Sequence, residues 1–119
     1  MSNAPASAAS APLLVACLCA QWCGTCNDYR TLFDQLQAEF AHAHFVWVDI
    51  EDEADLVDPI EVEDFPTVLI ASGTTPRFFG TVMPHVETLR RLLQSTTEAG
   101  ASTVANPDVA ALVQRLRAR

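Results

Sequence analysis

Lysine is absent altogether: seven arginines face 15 acidic residues, leaving a formal charge of −8. That deficit argues against sequence-independent binding to nucleic acid or to an anionic membrane surface, since both need clustered basic side chains to neutralise phosphate. A long apolar run is missing too. The longest, Leu13 to Ala20, falls well short of the roughly 18 to 20 residues a membrane-crossing helix requires. Residues 1–12 carry no charge, whereas a secretory leader begins with a basic segment, so a cytoplasmic location is expected. No internal repeat is visible. What the chain does have is length for one domain, 119 residues, half of them apolar, which is enough to fill a core.

Residues 1–12 are small and polar with nothing large to bury, so they read as a disordered tail that cannot recover the entropy of ordering. Leu13 to Cys19 is a continuous apolar run, the pattern of a strand covered on both faces at the centre of an α/β sheet. From Gly24 to about Ala41, Cys26, Tyr29, Leu32, Phe33, Leu36 and Phe40 recur at helical spacing. Phe45 to Ile50, aromatic and β-branched, reads as a second buried strand and completes a βαβ unit. Nine of the 15 acids then fall between Asp49 and Asp64, in a connection with a helical turn or two interrupted at Pro59. Thr67 to Ala71 and Arg77 to Val82 form a hairpin through Ser72-Gly73-Thr74-Thr75. Pro84 opens a helix with Val86, Leu89, Leu92 and Leu93 on one side. Residues 96–105 read as a linker. Asn106-Pro107-Asp108 then supplies a cap, a first-turn proline and a dipole-matching acid for an appended helix over 106–119, whose Arg115, Arg117 and Arg119 suit its negative end. That helix either packs on the domain or binds something else.

The chemistry sits in Trp22-Cys23-Gly24-Thr25-Cys26, at the junction of the first strand and the first helix. Two cysteines spaced this way at a helix N-terminus are close enough to form a disulfide across the turn. The first lies where free backbone N–H groups and the helix dipole favour a thiolate, the nucleophile of thiol exchange. Cys23 is therefore expected to attack and Cys26 to resolve, with a redox-active Cys23–Cys26 disulfide and no organic or metal cofactor.

Over residues 13–95 the sequence resembles the thioredoxin family. The resemblance is carried by the first strand, Trp22-Cys23-Gly24-Thr25-Cys26, the strand ending Val48-Asp49-Ile50, the Phe65-Pro66-Thr67 step, the hairpin with Gly80, and the helix after it. It implies a thioredoxin-like fold with a central four-stranded mixed sheet, helices on both faces and, here, the added C-terminal helix. It further implies a cis Phe65–Pro66 bond facing the cysteines, and a substrate groove formed by Trp22, Gly24, Thr25, Phe65 and Pro66, with Gly80 alongside. There an extended substrate pairs with backbone by strand addition. The implied function is thiol–disulfide oxidoreduction in cell redox homeostasis, on protein or small-molecule disulfides, by a monomer reset through a reductase system such as a thioredoxin reductase. Most members carry a further strand and helix ahead of the first strand, for which residues 1–12 leave no room.

Two departures qualify the resemblance. The family's buried Asp, six residues before the nucleophile, and the Lys beside it are Cys17 and Trp47 here, so the usual proton relay is missing. Thr25 replaces the family's proline, a change of the kind that alters redox potential. The alternative function is accordingly a thioredoxin-like binding or redox-switched adaptor module with little turnover. Cys17 and Cys19 share one strand face that points towards Cys26; a third redox thiol or a four-sulfur zinc site is conceivable, but we read both as small buried hydrophobes. A Cys17–Cys19 disulfide is geometrically poor. His42, His44 and His85 lack ligand spacing, and Trp47 reads as core. The acidic stretch Glu51 to Asp64 reads as a solvated face; the resemblance implies that its end, Glu61, Glu63 and Asp64, sits beside the groove, where it would favour basic partners.

Overall fold

The computed structural model describes residues 13–20, 22–58, 60, 62, 66–82, 85–96 and 103–118. Among the described residues there are four strands, β1 (Leu13–Cys19), β2 (Ala43–Asp49), β3 (Thr67–Ser72) and β4 (Thr75–Thr81), and four helices, α1 (Gly24–Glu39), α2 (Ala54–Val57), α3 (Val86–Thr96) and α4 (Pro107–Ala118), in the order β1-α1-β2-α2-β3-β4-α3-α4. The sheet order is β2-β1-β3-β4. β1 runs parallel to β2 and antiparallel to β3, with Cys17 opposite Trp47 on one side and Val68 on the other. The expected mixed four-stranded sheet is therefore present, and β1, buried at every position, is one of its two inner strands.

Alternation along β1 divides the interior in two. Leu13, Val15, Cys17 and Cys19 pack under the buried stripe of α1 (Cys26, Tyr29, Phe33, Leu36) and Leu89 and Leu93 of α3. Leu14, Ala16 and Leu18 pack on the opposite face with Val57 of α2 and Val109, Leu112, Val113 and Leu116 of α4. Helices thus cover both faces. Between α1 and α3, Arg90 forms a two-pronged pair with Glu39, 2.9 and 2.7 Å, and that bond holds the Glu39 carboxyl below the usual range.

β2 differs from expectation. It is an edge strand, not a buried one: only Val48 is fully covered, and His44 is exposed. Its aromatics still point inward, with Phe33 in edge contact with Phe45 (5.1 Å) and Trp47 (5.6 Å), and Arg30 stacked 4.8 Å over the Trp47 ring. Trp47 is therefore a half-buried rim residue of the first cluster.

The hairpin turns at Gly73, which takes φ 63°, a left-handed conformation in which a glycine carries no Cβ penalty. Asp58, before Pro59, is extended (φ −53°, ψ 143°), as a residue preceding proline must be, and there α2 ends. Pro59 itself, the tail 1–12, Pro84 and most of the 96–105 stretch lie outside the described residues, as do Glu61, Glu63 and Asp64.

α4 packs on the domain. Its cap forms as the sequence indicates, the Asn106 side chain accepting the backbone N–H groups of Asp108 (2.9 Å) and Val109 (3.4 Å). Its arginines serve more than their own helix terminus. Arg115 donates to the carbonyls of Leu56 (2.7 Å) and Asp58 (2.9 Å), closing the end of α2, and Arg117 donates to that of Gly73 (2.9 Å) at the hairpin turn. Tertiary carbonyls lie closer to these guanidinium groups than sequence periodicity could show.

Candidate active site

The site forms where β1 ends and α1 begins. The chain leaves the sheet at Cys19, whose carbonyl accepts the Ile50 N–H (2.9 Å), and turns through Trp22. Cys23 is the residue immediately before α1, in extended conformation, its N–H bonded to the Ala20 carbonyl (3.0 Å) and its carbonyl accepting the Asn27 N–H (3.1 Å). It is half-buried and packs against the cysteine-bearing cluster, while Gly24 and Thr25 in the first helical turn are exposed. A Cβ at Gly24 would meet nothing within 4 Å, so the surface beside Cys23 is open. Trp22 stands out at 68 % exposure, its indole N–H donating to Glu51 (3.1 Å). Glu51 is in turn fixed by the Asp49 carboxylate, which accepts the N–H groups of Glu51 (2.9 Å) and Asp52 (3.1 Å). No local pattern marks this Trp22–Glu51 contact across 29 residues.

The cysteine pairing departs from expectation. Cys26 is bonded to Cys19, not to Cys23, with Cα atoms 5.9 Å apart, inside the range an unstrained bridge spans. The expected redox-active Cys23–Cys26 disulfide is thus not the one present, and Cys23 is a free thiol. The physical reason lies in the two periodicities. Cys19 is on the inward parity of β1 and Cys26 on the inward stripe of α1, so packing the helix on the sheet brings them together, both only 1 % exposed. Reading Cys19 as an inert hydrophobe was wrong for that reason. For Cys17 it holds: the residue is free and fully buried, and its sulfur lies 3.7 Å from that of Cys19 without bonding to it. Because Cys19 has no proton in the disulfide, the weak hydrogen bond runs from the Cys17 S–H to the Cys19 sulfur.

Burial pushes the Cys17 thiol far up, only partly offset by Arg30. It remains neutral, at the position where the resemblance places an Asp. Tyr29, buried in the same cluster with its hydroxyl unpartnered among the described residues, is likewise pushed up by burial and by Cys17. With Cys19 and Cys26 spent on a disulfide, a four-sulfur zinc site is not formed; among the described residues no group of three or more His, Cys, Asp or Glu is placed to hold a metal ion. His42, His44 and His85 are exposed.

Pro66 is buried at the head of β3, its carbonyl accepting the Val82 N–H (3.1 Å). Phe65, and with it the expected cis bond, lies outside the described residues. Gly80 sits on β4 opposite Val68, where an added Cβ would touch the Phe78 ring at 3.5 Å.

A mixed four-stranded sheet flanked by helices is also what known proteins show. The family model described as Thioredoxin matches residues 5–94. The chain belongs to the thioredoxin family. It is 28 % identical over 93 residues to Thioredoxin H2-1 of Oryza sativa subsp. japonica, covering 76 % of this chain and 67 % of that protein. It is 33 % identical over 60 residues to thioredoxin of Homo sapiens, covering 50 % of this chain and 57 % of that one. The chain therefore spans between about half and two thirds of the curated relatives it matches. The X-ray structure of Fasciola hepatica thioredoxin has the same fold, with a TM-score of 0.64 at 22 % identity over 70 % of this chain and 79 % of that one. Family membership brings thiol–disulfide oxidoreductase chemistry to a molecule that holds a disulfide-capable cysteine pair at the matching strand–helix junction.

Proposed function

We propose that the chain exchanges electrons with protein or small-molecule disulfides through Cys23, with Cys26 resolving the mixed disulfide. One observation carries this assignment. Cys23 is a free thiol at the open end of α1, and Cys26, one turn on, lies beneath it among the sulfurs of the buried cluster. Once the Cys19–Cys26 bond is reduced, the Cys23 thiolate attacks a substrate sulfur and expels a thiolate. Cys26 then attacks the Cys23 sulfur and releases the reduced substrate, and a reductase system returns the protein to its thiol form. Trp22, Gly24 and Thr25 form the exposed surface a substrate segment meets, and the Pro66 side completes the groove. The chain's own thiols supply the electrons, so no organic or metal cofactor takes part, and the unit acts as a monomer.

A second function, a redox-switched binding module with slow turnover, is favoured by one feature. Cys17 and Trp47 occupy the positions of the family's proton relay, and a thiol held neutral by burial cannot serve as its base. Steady-state reduction of a protein disulfide such as insulin separates the two. Cys23→Ser is expected to abolish turnover and Cys26→Ser to accumulate mixed disulfides. Full activity in Cys23→Ser would overturn the assignment, and a wild-type protein that binds but does not turn over would favour the module.

A further inference from the structure

We propose that Cys19 is a second resolving cysteine, which takes over Cys26 after exchange and stores the oxidising equivalent in an inner disulfide while Cys23 is set free. The proposal rests on the assignment of Cys23 and Cys26 above and adds a step to it.

Four sulfurs converge in one cluster. Cys17, Cys19 and Cys26 are buried in it, Cys23 packs against its edge, and Cys26 is bonded to Cys19. Cys26 is thus shared: in sequence it is one helical turn from Cys23, and in space it is bonded to Cys19. Neither of the other two needs to reach the other. The outer thiol meets solvent and the inner one does not, since Cys19 is 1 % exposed.

The steps balance as simple exchange. Starting from the thiol form, the Cys23 thiolate attacks substrate RS–SR′, forming Cys23–SR and expelling R′S⁻, which takes up a proton. Cys26, having lost its proton to solvent, attacks the Cys23 sulfur, forming Cys23–Cys26 and expelling RS⁻, which takes up a proton. Cys19, losing its proton to solvent as it attacks, bonds to the Cys26 sulfur. The Cys23–Cys26 bond breaks, and Cys23 leaves as a thiolate. This last step is isoelectronic. The substrate has gained two electrons and two protons, supplied in sum by Cys19 and Cys26.

The inner bond is favoured by its surroundings. A thiolate at Cys19 would be a buried charge with a weak donor beside it, the Cys17 S–H at 3.7 Å, whereas the disulfide is uncharged and suits an apolar cluster. Cys17 is in this respect a positioning residue: its thiol stays protonated and offers that S–H whenever Cys19 leaves as a thiolate on re-reduction. Because the inner bond is shielded, a reductant reaches it only through Cys23, by the same steps reversed.

Wild-type protein tests this without any variant. The reduced full chain is oxidised with one equivalent of oxidised glutathione, quenched in acid, blocked with N-ethylmaleimide, then reduced and labelled with iodoacetamide. Trypsin cuts first at Arg30, so one peptide carries all four cysteines, and its fragmentation locates each label. The expected result is iodoacetamide on Cys19 and Cys26 with maleimide on Cys23, and in Cys19→Ser iodoacetamide on Cys23 and Cys26. Wild-type protein with iodoacetamide on Cys23 and Cys26 and maleimide on Cys19 overturns the proposal. A glutathione titration adds a second readout: Cys19→Ser and Cys19→Ala should each lower the equilibrium constant for oxidation at least tenfold, about 30 mV for two electrons. An unchanged constant overturns the proposal as well. Failure of the underlying assignment looks different, since Cys23→Ser would then consume oxidised glutathione at the wild-type rate wherever the labels fall.

Discussion

The two faces of β1 are built from neighbouring residues on one strand, yet they differ in kind. The face under α1 and α3 carries Cys17 and Cys19 and borders the helix N-terminus where Cys23 sits. The buried residues of the face under α2 and α4 are aliphatic, Leu14, Ala16 and Leu18 against Val109, Leu112, Val113 and Leu116. All four cysteines belong to the first cluster and none to the second. The sheet therefore separates chemistry from support, and a change on the aliphatic side should alter stability while leaving redox behaviour in place.

The largest effect expected from that division is on the aliphatic face. Leu112→Ala removes a fully buried side chain from α4 and should cost about 2 to 5 kcal/mol in urea unfolding, with no change in the oxidation midpoint; a midpoint that moves with stability would break the division. Next is the sulfur face. Reducing the Cys19–Cys26 bond, which closes a loop of sequence separation 7, should lower stability by roughly 2 kcal/mol on the chain-entropy argument. Smallest per unit of change is the effect of alkali. Burial raises the folded-state pKa of Cys17 and of Tyr29. The unfolded chain thus releases protons that the folded chain keeps, and stability, full below the ordinary thiol pKa, declines as pH rises past it. In oxidised protein with Cys23 alkylated, the decline should begin near pH 8.5 to 9 with a slope of at most about 1.4 kcal/mol per pH unit for each group. In Cys17→Ala it should start only near the ordinary tyrosine pKa, about 10. An onset unchanged by that substitution would show that Cys17 is not the group responsible.

Periodicity made most of the fold legible. The apolar run Leu13–Cys19 is β1 residue for residue, and the stripe from Cys26 to Leu36 is the buried side of α1. Strand position was less legible: nothing local distinguishes an edge strand such as β2, whose aromatics face inward, from a central one. Partners were less legible still. The arginines of α4 fit that helix's own negative end in sequence, and only the packed chain brings Leu56, Asp58 and Gly73 within their reach. The site shows the same limit. Trp22-Cys23-Gly24-Thr25-Cys26 announces itself because its spacing is local, and the shared face of Cys17 and Cys19 pointed towards Cys26. Whether Cys26 bonds forwards or backwards along the chain is decided by how α1 sits on β1, a tertiary distance that no local pattern encodes.

β1 is hydrogen-bonded along both edges, to β2 and to β3. Its amides should be among the slowest in the molecule to exchange with deuterium, and Cys19 rides on it as on a fixed rail. Any change of partner by Cys26 must then be made by movement of the first turn of α1, where the Asn27 N–H to Cys23 carbonyl bond is the nearest link to open. Fast exchange at Asn27 beside protected amides at Val15 and Cys17 would be the kinetic signature of a mobile helix end working against a stationary strand.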